Sequence, residues 1–220
     1  MSMTTEGAVR NFRKSNDHYR DREYLTADEM NTILLIAQSS GRQRDRDYAL
    51  ALLMYRHGLR QTEAGMLRWS SIDLEAKTVF IRRLKKSESG VHPLQEDEIE
   101  ALKALKHYDL CPYVFANQKG ESFLVRRANK SRLVKGKRYE TKNAIEAPGI
   151  GKIIERLGER AEPELGFKIH AHMLRHACGY YLANKGYDAR LIQSWLGHRN
   201  IQHTVRYTAL APHRYKSIEW

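Results

Sequence analysis

The stretch WLGHRNIQHTVRYTAL, Trp195 to Leu210, sets a histidine, His198, directly after a Leu-Gly helix stop and a tyrosine, Tyr207, nine positions further on, between Arg206 and Thr208. Such a tyrosine either packs or attacks a phosphate. The second role needs a cationic pocket and a base, because a phenol loses its proton only near a pKa of about 10. Upstream, HAHMLRH places His172 and Arg175 three apart on one helix face, two donors suited to clamping an oxyanion or a phosphate. His172 and His176 are four apart, as in metal sites of the H-E-x-x-H kind. The second position is Met173 rather than glutamate, however, and Arg175 between the histidines would repel a cation, so the metal reading fails. Arg60, in HGLRQTEAGMLRW, follows an apolar helix and precedes an amphipathic turn; taken alone it reads as a surface arginine paired with Glu63.

The charge of the chain narrows the partner. Lys and Arg number 38 against 26 Asp and Glu in 220 residues, a formal net charge of +12, which suits a polyanion such as nucleic acid. An anionic membrane surface would want those cations on an amphipathic helix with a bulky apolar face, and here they are spread over loops and helix ends. No apolar run reaches the roughly 18 to 20 residues that span a bilayer, and Met1 to Asn16 lacks a signal peptide's apolar stretch, so a cytoplasmic, DNA-associated protein is expected. Cys111 and Cys178 read as two reduced thiols.

The elements that must position these residues are mostly helical. Residues 1–23 are polar and aperiodic and read as a flexible arm. LTADEM opens a helix with a capping box of Thr26 and Glu29, with Met30, Ile33, Leu34 and Ala37 on one stripe and a stop at Gly41. DYALALLMYRHGLR is apolar nearly all round, a helix buried in the core that stops at Gly58 and delivers Arg60 to a turn. In TVFIRRLKKSESGVHPL the period changes to two, giving a β-hairpin whose turn carries Lys85 and Lys86. EDEIEALKAL returns to helix, YVFAN reads as a short strand-like link, and the basic run Arg126 to Lys142, with eight Lys or Arg, reads as a loop or weakly ordered insertion. Helices resume at Pro148, at HMLRHACGYYLANKG, closed by Gly186, and at DARLIQSWLG, opened by Asp188 and closed by Gly197. The fold class expected is mainly α with a small antiparallel β-sheet.

GLRQTEAGMLRWSSID, RLKKSESGVHPL, HAHMLRHACGYYLANKG and LIQSWLGHRNIQHTVRYT, in that order, resemble the catalytic domain of the tyrosine recombinases, or phage integrase family, over Tyr24 to about Leu210. The likeness is greatest to the small fimbrial phase-variation recombinases, which also lack a separate core-binding domain. The resemblance implies one catalytic domain over residues 24–220 with the integrase catalytic-domain fold. It implies that Arg60, Lys85, His172, Arg175, His198 and Tyr207 form the catalytic set. Arg60 and Arg175 would fork onto the phosphate oxygens, His172 and His198 would donate hydrogen bonds or manage the tyrosine's proton, Lys85 would protonate the leaving 5′-oxygen, and Tyr207 would form a 3′-phosphotyrosine link. Lys86 competes with Lys85, since hairpin register is open from sequence. No metal or nucleotide cofactor is implied, because the covalent link conserves the phosphodiester energy.

The partners implied are double-stranded DNA with specific sites, a tetramer of this chain on two such sites, and accessory DNA-bending proteins. In relatives the C-terminal segment docks on a neighbour, so Ala209 to Trp220 is a candidate tether. In the basic insertion, Arg126, Arg127, Lys130, Arg132, Lys135, Lys137 and Arg138, together with Lys86, are candidate DNA contacts, against the bland alternative of a solvated loop. Tyr180, Tyr181 and Trp195 read as core, and His176 as packing or bonding locally beside Arg175, with a minor supporting role in the site as the alternative. Tyr215 lies outside the spacing to the Leu-Gly-His stop. Two rival functions share this residue set or its charge: DNA relaxation of the type IB topoisomerase kind, and non-catalytic DNA binding on the same scaffold.

Overall fold

In a computed structural model of the chain, which describes residues 23–84, 87–105, 111–127, 130–134, 137–141 and 144–209, the first helix, α1 (Ala27–Ser39), opens as its sequence predicts. The Thr26 hydroxyl accepts from the Glu29 backbone N–H at 3.3 Å, and the Glu29 carboxylate accepts from the Thr26 N–H at 2.7 Å. The all-apolar second helix, α2 (Arg44–Arg56), becomes the axis of the domain. Every residue from Ala49 to Met54 is buried, which requires neighbours on all sides, and they are α1, α4 (Glu96–Leu105) and α6 (Ala171–Asn184). Burying each large side chain there contributes about 1.5–3 kcal/mol.

The short helix α3 (Gln61–Met66) and a 3-10 turn (Trp69–Ser71) lead into a three-stranded antiparallel sheet, β1 (Ile72–Asp73), β2 (Thr78–Ile81) and β3 (Gly90–Pro93), in that order. Its alternation follows the sequence: Val79 and Ile81 are buried while Phe80 faces out. The YVFAN link is not a strand; Tyr113 and Ala116 each make a single bridge, to Arg68 and Ser122, while Val114 and Phe115 turn into the core.

Where a loop or weakly ordered insertion is expected at Arg126 to Lys142, the described residues are strands rather than loop. Strands β4 (Val125–Arg127) and β7 (Ala144–Glu146) pair antiparallel, and β5 (Lys130–Val134) pairs with β6 (Lys137–Thr141) in the same offset; the two pairs together are called the ribbon below. Backbone pairing needs no apolar face, and the scarcity of apolar residues concealed it. Lys135, which follows β5 in sequence, lies outside the described residues, as do 1–22 and 210–220.

Helix α5 (Pro148–Leu165) buries Ile150, Ile153, Ile154 and Leu157 as one stripe. The remaining helices, α6, α7 (Ala189–Leu196) and α8 (Gln202–Ala209), share a second apolar cluster of Cys178, Tyr180, Ala183, Ile192, Leu196 and Tyr207. Gly58 and Gly197 are the two glycines that matter for the site. Both have positive φ, 56° and 65°, and a Cβ on Gly58 would come within 2.3 Å of Leu196 Cδ2. The turn after α2 and the stop of α7 therefore touch, bringing the segments of Arg60 and His198 together. No described helix is long and apolar enough to cross a membrane.

Candidate active site

Arg60 is the N-cap of α3, and its pairing with Glu63 is real but not at the surface. The Glu63 side chain is 1% exposed and receives four hydrogen bonds. Oε1 accepts from Arg60 Nη1 at 2.6 Å and the Leu84 N–H at 3.2 Å; Oε2 accepts from the Arg60 N–H and from Arg83 Nη1, both at 3.0 Å. Arg175 Nη1 lies 3.9 Å from the same carboxylate. Burial alone would raise the Glu63 pKa, but Arg83, the Arg60 N–H and charge, and Arg175 hold it below the usual carboxylate range.

On α6, His172, Arg175 and His176 fall at i, i+3 and i+4. Arg175 is the most buried charge of the set, 1% exposed, and donates to the carbonyls of Gly58 and Leu196 across the turn-to-stop contact. Desolvation, then Arg60 and Arg83, lowers its pKa to about 10, so it remains cationic. His172 sits on the exposed side of the helix with its ring edge-on to His176; loss of hydration on one side, then Arg175, lowers it to about 4. His198 follows the stop of α7. Its N–H donates to Gln193 O at 2.9 Å, and its Nδ1 lies 2.9 Å from Thr204 Oγ1; burial, then Arg175 and Arg60, lowers it to about 3.

Tyr207 lies on α8, a helix that the sequence pattern does not reveal, and is 1% exposed. Its ring lies flat on Gly179, where an added Cβ would come within 2.6 Å of it, and meets Tyr180 edge-on at 5.0 Å between centroids. Its hydroxyl lies 2.9 Å from His176 Nδ1. Burial raises the phenol's pKa and lowers that of His176 to about 3, so both are neutral at pH 7 and the phenol donates to the ring nitrogen. His176 thus bonds not locally beside Arg175 but to a residue 31 positions away, the contact that the alternative of a supporting role requires. Its one sequence signal is the four-residue spacing from His172, which suggested a metal and instead aims at the tyrosine.

Arg60, His198, Arg190, Arg199, His203 and Ser87 line an open cleft of about 560 Å³ with no carboxylate among its lining residues, a shape and charge that suit a phosphodiester. Lys85 and Lys86 lie outside the described residues, between Leu84 and Ser87 of the hairpin tip, and Tyr215 is outside them too. Of the three aromatic residues expected in the core, Tyr180 is buried and Trp195 is half-buried, donating Nε1–H to Arg56 O at 2.9 Å. Tyr181 is 41% exposed, edge-on to Tyr55 and under the Lys185 ammonium. Cys111 and Cys178 are both buried free thiols.

A match to the phage integrase family runs from residue 23 to residue 214. The chain belongs to the phage integrase family. It is 39% identical over 212 residues to the type 1 fimbriae regulatory protein FimB of Escherichia coli K12, covering 93% of each, and 41% identical over 197 residues to FimE of the same strain, covering 90% of each. The fold matches the crystal structure of XerA recombinase with a TM-score of 0.70 at 23% identity, over 90% of this chain and 66% of that one. It also matches the XerH site-specific recombinase bound to palindromic difH substrate, TM-score 0.65 at 22% identity, over 92% of this chain and 54% of that one. As a member of this family, the protein is a site-specific DNA recombinase of the tyrosine type.

Proposed function

We propose that this integrase-family chain breaks and rejoins double-stranded DNA with Tyr207 as nucleophile and Arg60, Arg175, His172, His198 and Lys85 as the groups that activate the phosphate and leaving oxygen. The observation that carries the reading is the convergence of four distant segments on one buried carboxylate and its neighbours: the Arg60 turn, the hairpin, the Arg175 helix and the His198 stop. In the transition state the equatorial oxygens gain charge, which two guanidiniums meet with paired N–H donors. Neutral His172 and His198 add hydrogen bonds. The Tyr207 oxygen bonds to phosphorus as the P–O5′ bond breaks, the phenol's proton passes to a site histidine, and the hairpin lysine protonates the departing oxygen. The catalytic domain spans residues 24–220, and the Arg175 guanidinium and Glu63 carboxylate, each 1% exposed, sit where charges count for more than in water.

Nicked DNA whose cleaved fragment diffuses away traps the covalent complex. The wild-type chain is expected to give a protein–DNA band that survives denaturation, and Tyr207→Phe none; a band persisting with Tyr207→Phe overturns the assignment. Relaxation of arbitrary supercoiled DNA without a site would favour the topoisomerase-like alternative.

The wider reading is that this protein acts in the cytoplasm as a tetramer on two specific DNA sites, for inversion or for integration and excision, with accessory DNA-bending proteins. The ribbon adds a DNA interface: β4 carries Arg126 and Arg127, β5 Lys130 and Arg132, and β6 Lys137 and Arg138, with Lys135 and Lys86 as further contacts. A two-stranded ribbon has the width that the major groove admits. The segment from Ala209 tethers neighbouring protomers; truncation after Thr208 is expected to abolish assembly of four chains on DNA.

A further inference from the structure

The hairpin that carries Lys85 and Lys86 is held by a residue outside the catalytic set, Arg83. Its position, two after buried Ile81, prolongs the inward face of β2, where an apolar side chain is expected. An arginine stands there instead, its side chain 1% exposed. A buried guanidinium costs several kcal/mol unless its charge and donors are met. Arg83 Nη1 donates to Gly58 O at 3.2 Å and Glu63 Oε2 at 3.0 Å, and Nη2 to His57 O at 2.8 Å and Trp195 O at 2.6 Å. The four acceptors lie on the turn before Arg60, on α3, and on the last turn of α7 that leads to His198. Gly197 completes the seat, since a Cβ there would come within 2.9 Å of Arg83 Cγ.

The same residue fixes the hairpin tip. The Arg83 N–H donates to Ser89 Oγ at 3.0 Å, drawing the two strands together. Beyond it the Leu84 N–H donates to Glu63 at 3.2 Å, the Ser87 N–H to Leu84 O at 3.2 Å, and Arg60 Nη1 to Ser87 Oγ at 3.4 Å. Leu84 and Ser87, the residues on either side of the two lysines, are thereby tied to Glu63 and Arg60.

We propose that Arg83 is a positioning residue that fixes the hairpin lysine at the leaving 5′-oxygen, by locking the hairpin to the arginine turn and to the stop before His198. It does not touch the phosphate. The proposal rests on the reading of a hairpin lysine as general acid. Lysine at 83 would keep the charge but could not fork to carbonyls on separate segments and to Glu63 at once. Misplacing a reacting group by about 1 Å costs on the order of 100-fold in rate.

The test uses the full chain and nicked DNA with either oxygen or sulfur at the scissile 5′ bridging position, because a thiolate departs without needing a proton. Arg83→Lys is expected to slow covalent-complex formation about 100-fold on oxygen-linked DNA and to stay within about threefold of wild type on sulfur-linked DNA. Ser89→Ala, which loosens the same hairpin without touching Glu63, should show a smaller loss with the same rescue, and it carries the test if Arg83→Lys does not fold. Equal losses on both DNAs, or full activity of the folded variant on oxygen-linked DNA, overturn the proposal. Lys85→Ala and Lys86→Ala are run beside them. Rescue of a lysine variant without rescue of the Arg83 or Ser89 variants removes Arg83's part alone, whereas no rescue of either lysine variant removes the general-acid reading and the proposal with it.

Discussion

Glu63→Gln removes one negative charge from among three guanidiniums and is expected to destabilise the fold by about 3–5 kcal/mol, the cost of breaking a buried pair on one side. Arg60, Arg83 and Arg175 lie 2.6, 3.0 and 3.9 Å from the carboxylate. At an effective dielectric near 20, a charge pair at about 3 Å attracts by roughly 5 kcal/mol, most of which offsets desolvation. The Arg60 side chain is 26% exposed, so its share is the smallest. The amide adds a second cost, because each Glu63 oxygen accepts two donors and whichever becomes NH2 leaves those two unpaired. Urea unfolding followed by circular dichroism at pH 7 should show a midpoint lower by about 1.5–2.5 M, taking a slope near 2 kcal/mol/M. Because the folded-state pKa of Glu63 is depressed, its contribution is present above the ordinary carboxylate range and lost as pH falls through the folded value, so the gap between wild type and variant must close in acid. A variant within about 1 kcal/mol of wild type at pH 7, or a gap that survives acid, would show that the carboxylate does not hold the arginines.

His92 and His176, 4% and 6% exposed, each have a pKa lowered to about 3, first by burial. Each contribution is complete above the unfolded value near 6.5 and is lost as pH falls toward 3, so the two together should cost about 3 kcal/mol of stability by pH 5.5, measured by unfolding at constant ionic strength; a flat profile from pH 7 to 5 refutes their burial as neutral rings. Gly179→Ala should expel the Tyr207 ring, three of whose carbons would lie 2.6–2.8 Å from the new methyl; nitration mapped by peptide mass should rise at Tyr207, and protection equal to wild type counts against the seat. Replacing Lys130, Arg132, Lys137 and Arg138 by neutral residues should weaken DNA binding and lower the salt slope by about 0.9 for each phosphate no longer neutralised, while an unchanged slope removes the ribbon from the interface.

How much of this was legible in the sequence depends on what each segment buries. The capping box at Thr26, the all-apolar α2, the Val79 and Ile81 alternation and the stops at Gly58, Gly186 and Gly197 were all readable, because local chemistry and tertiary burial agree there. The ribbon was not, since its sequence is too basic and too poor in apolar residues to show a period. Helix α8 was missed for a related reason: its buried residues, Thr204 and Tyr207, are a hydroxyl and a phenol rather than an aliphatic stripe. Arg175 was readable as a phosphate clamp from its spacing to His172, whereas Arg60 gained that role only through the resemblance. Their mutual arrangement depends on Glu63 and Arg83, buried charges that no hydrophobic pattern marks and that make sense only once four segments meet.

That arrangement leaves the free chain's site occupied by its own groups, with opposite consequences for its two halves. Arg175 donates to the neutral carbonyls of Gly58 and Leu196. A phosphate oxygen offers the same guanidinium a charge-assisted bond roughly twice as strong, so exchanging carbonyl for phosphate is favourable once DNA reaches the cleft. Tyr207 has no such exchange. As the proposed nucleophile it must give up the hydrogen bond to His176, worth about 1 kcal/mol, and the burial of its ring, worth about 1.5–3 kcal/mol. A penalty of about 2.5–4 kcal/mol leaves the proposed nucleophile released in a minority between about one in a hundred and one in a thousand of the bound chains. Binding and cutting are therefore separate steps in this fold. Substitutions at Arg175, which the proposed mechanism uses in the transition state as well, should act on both steps, and those at Gly179 and His176, which seat the tyrosine, on the second alone.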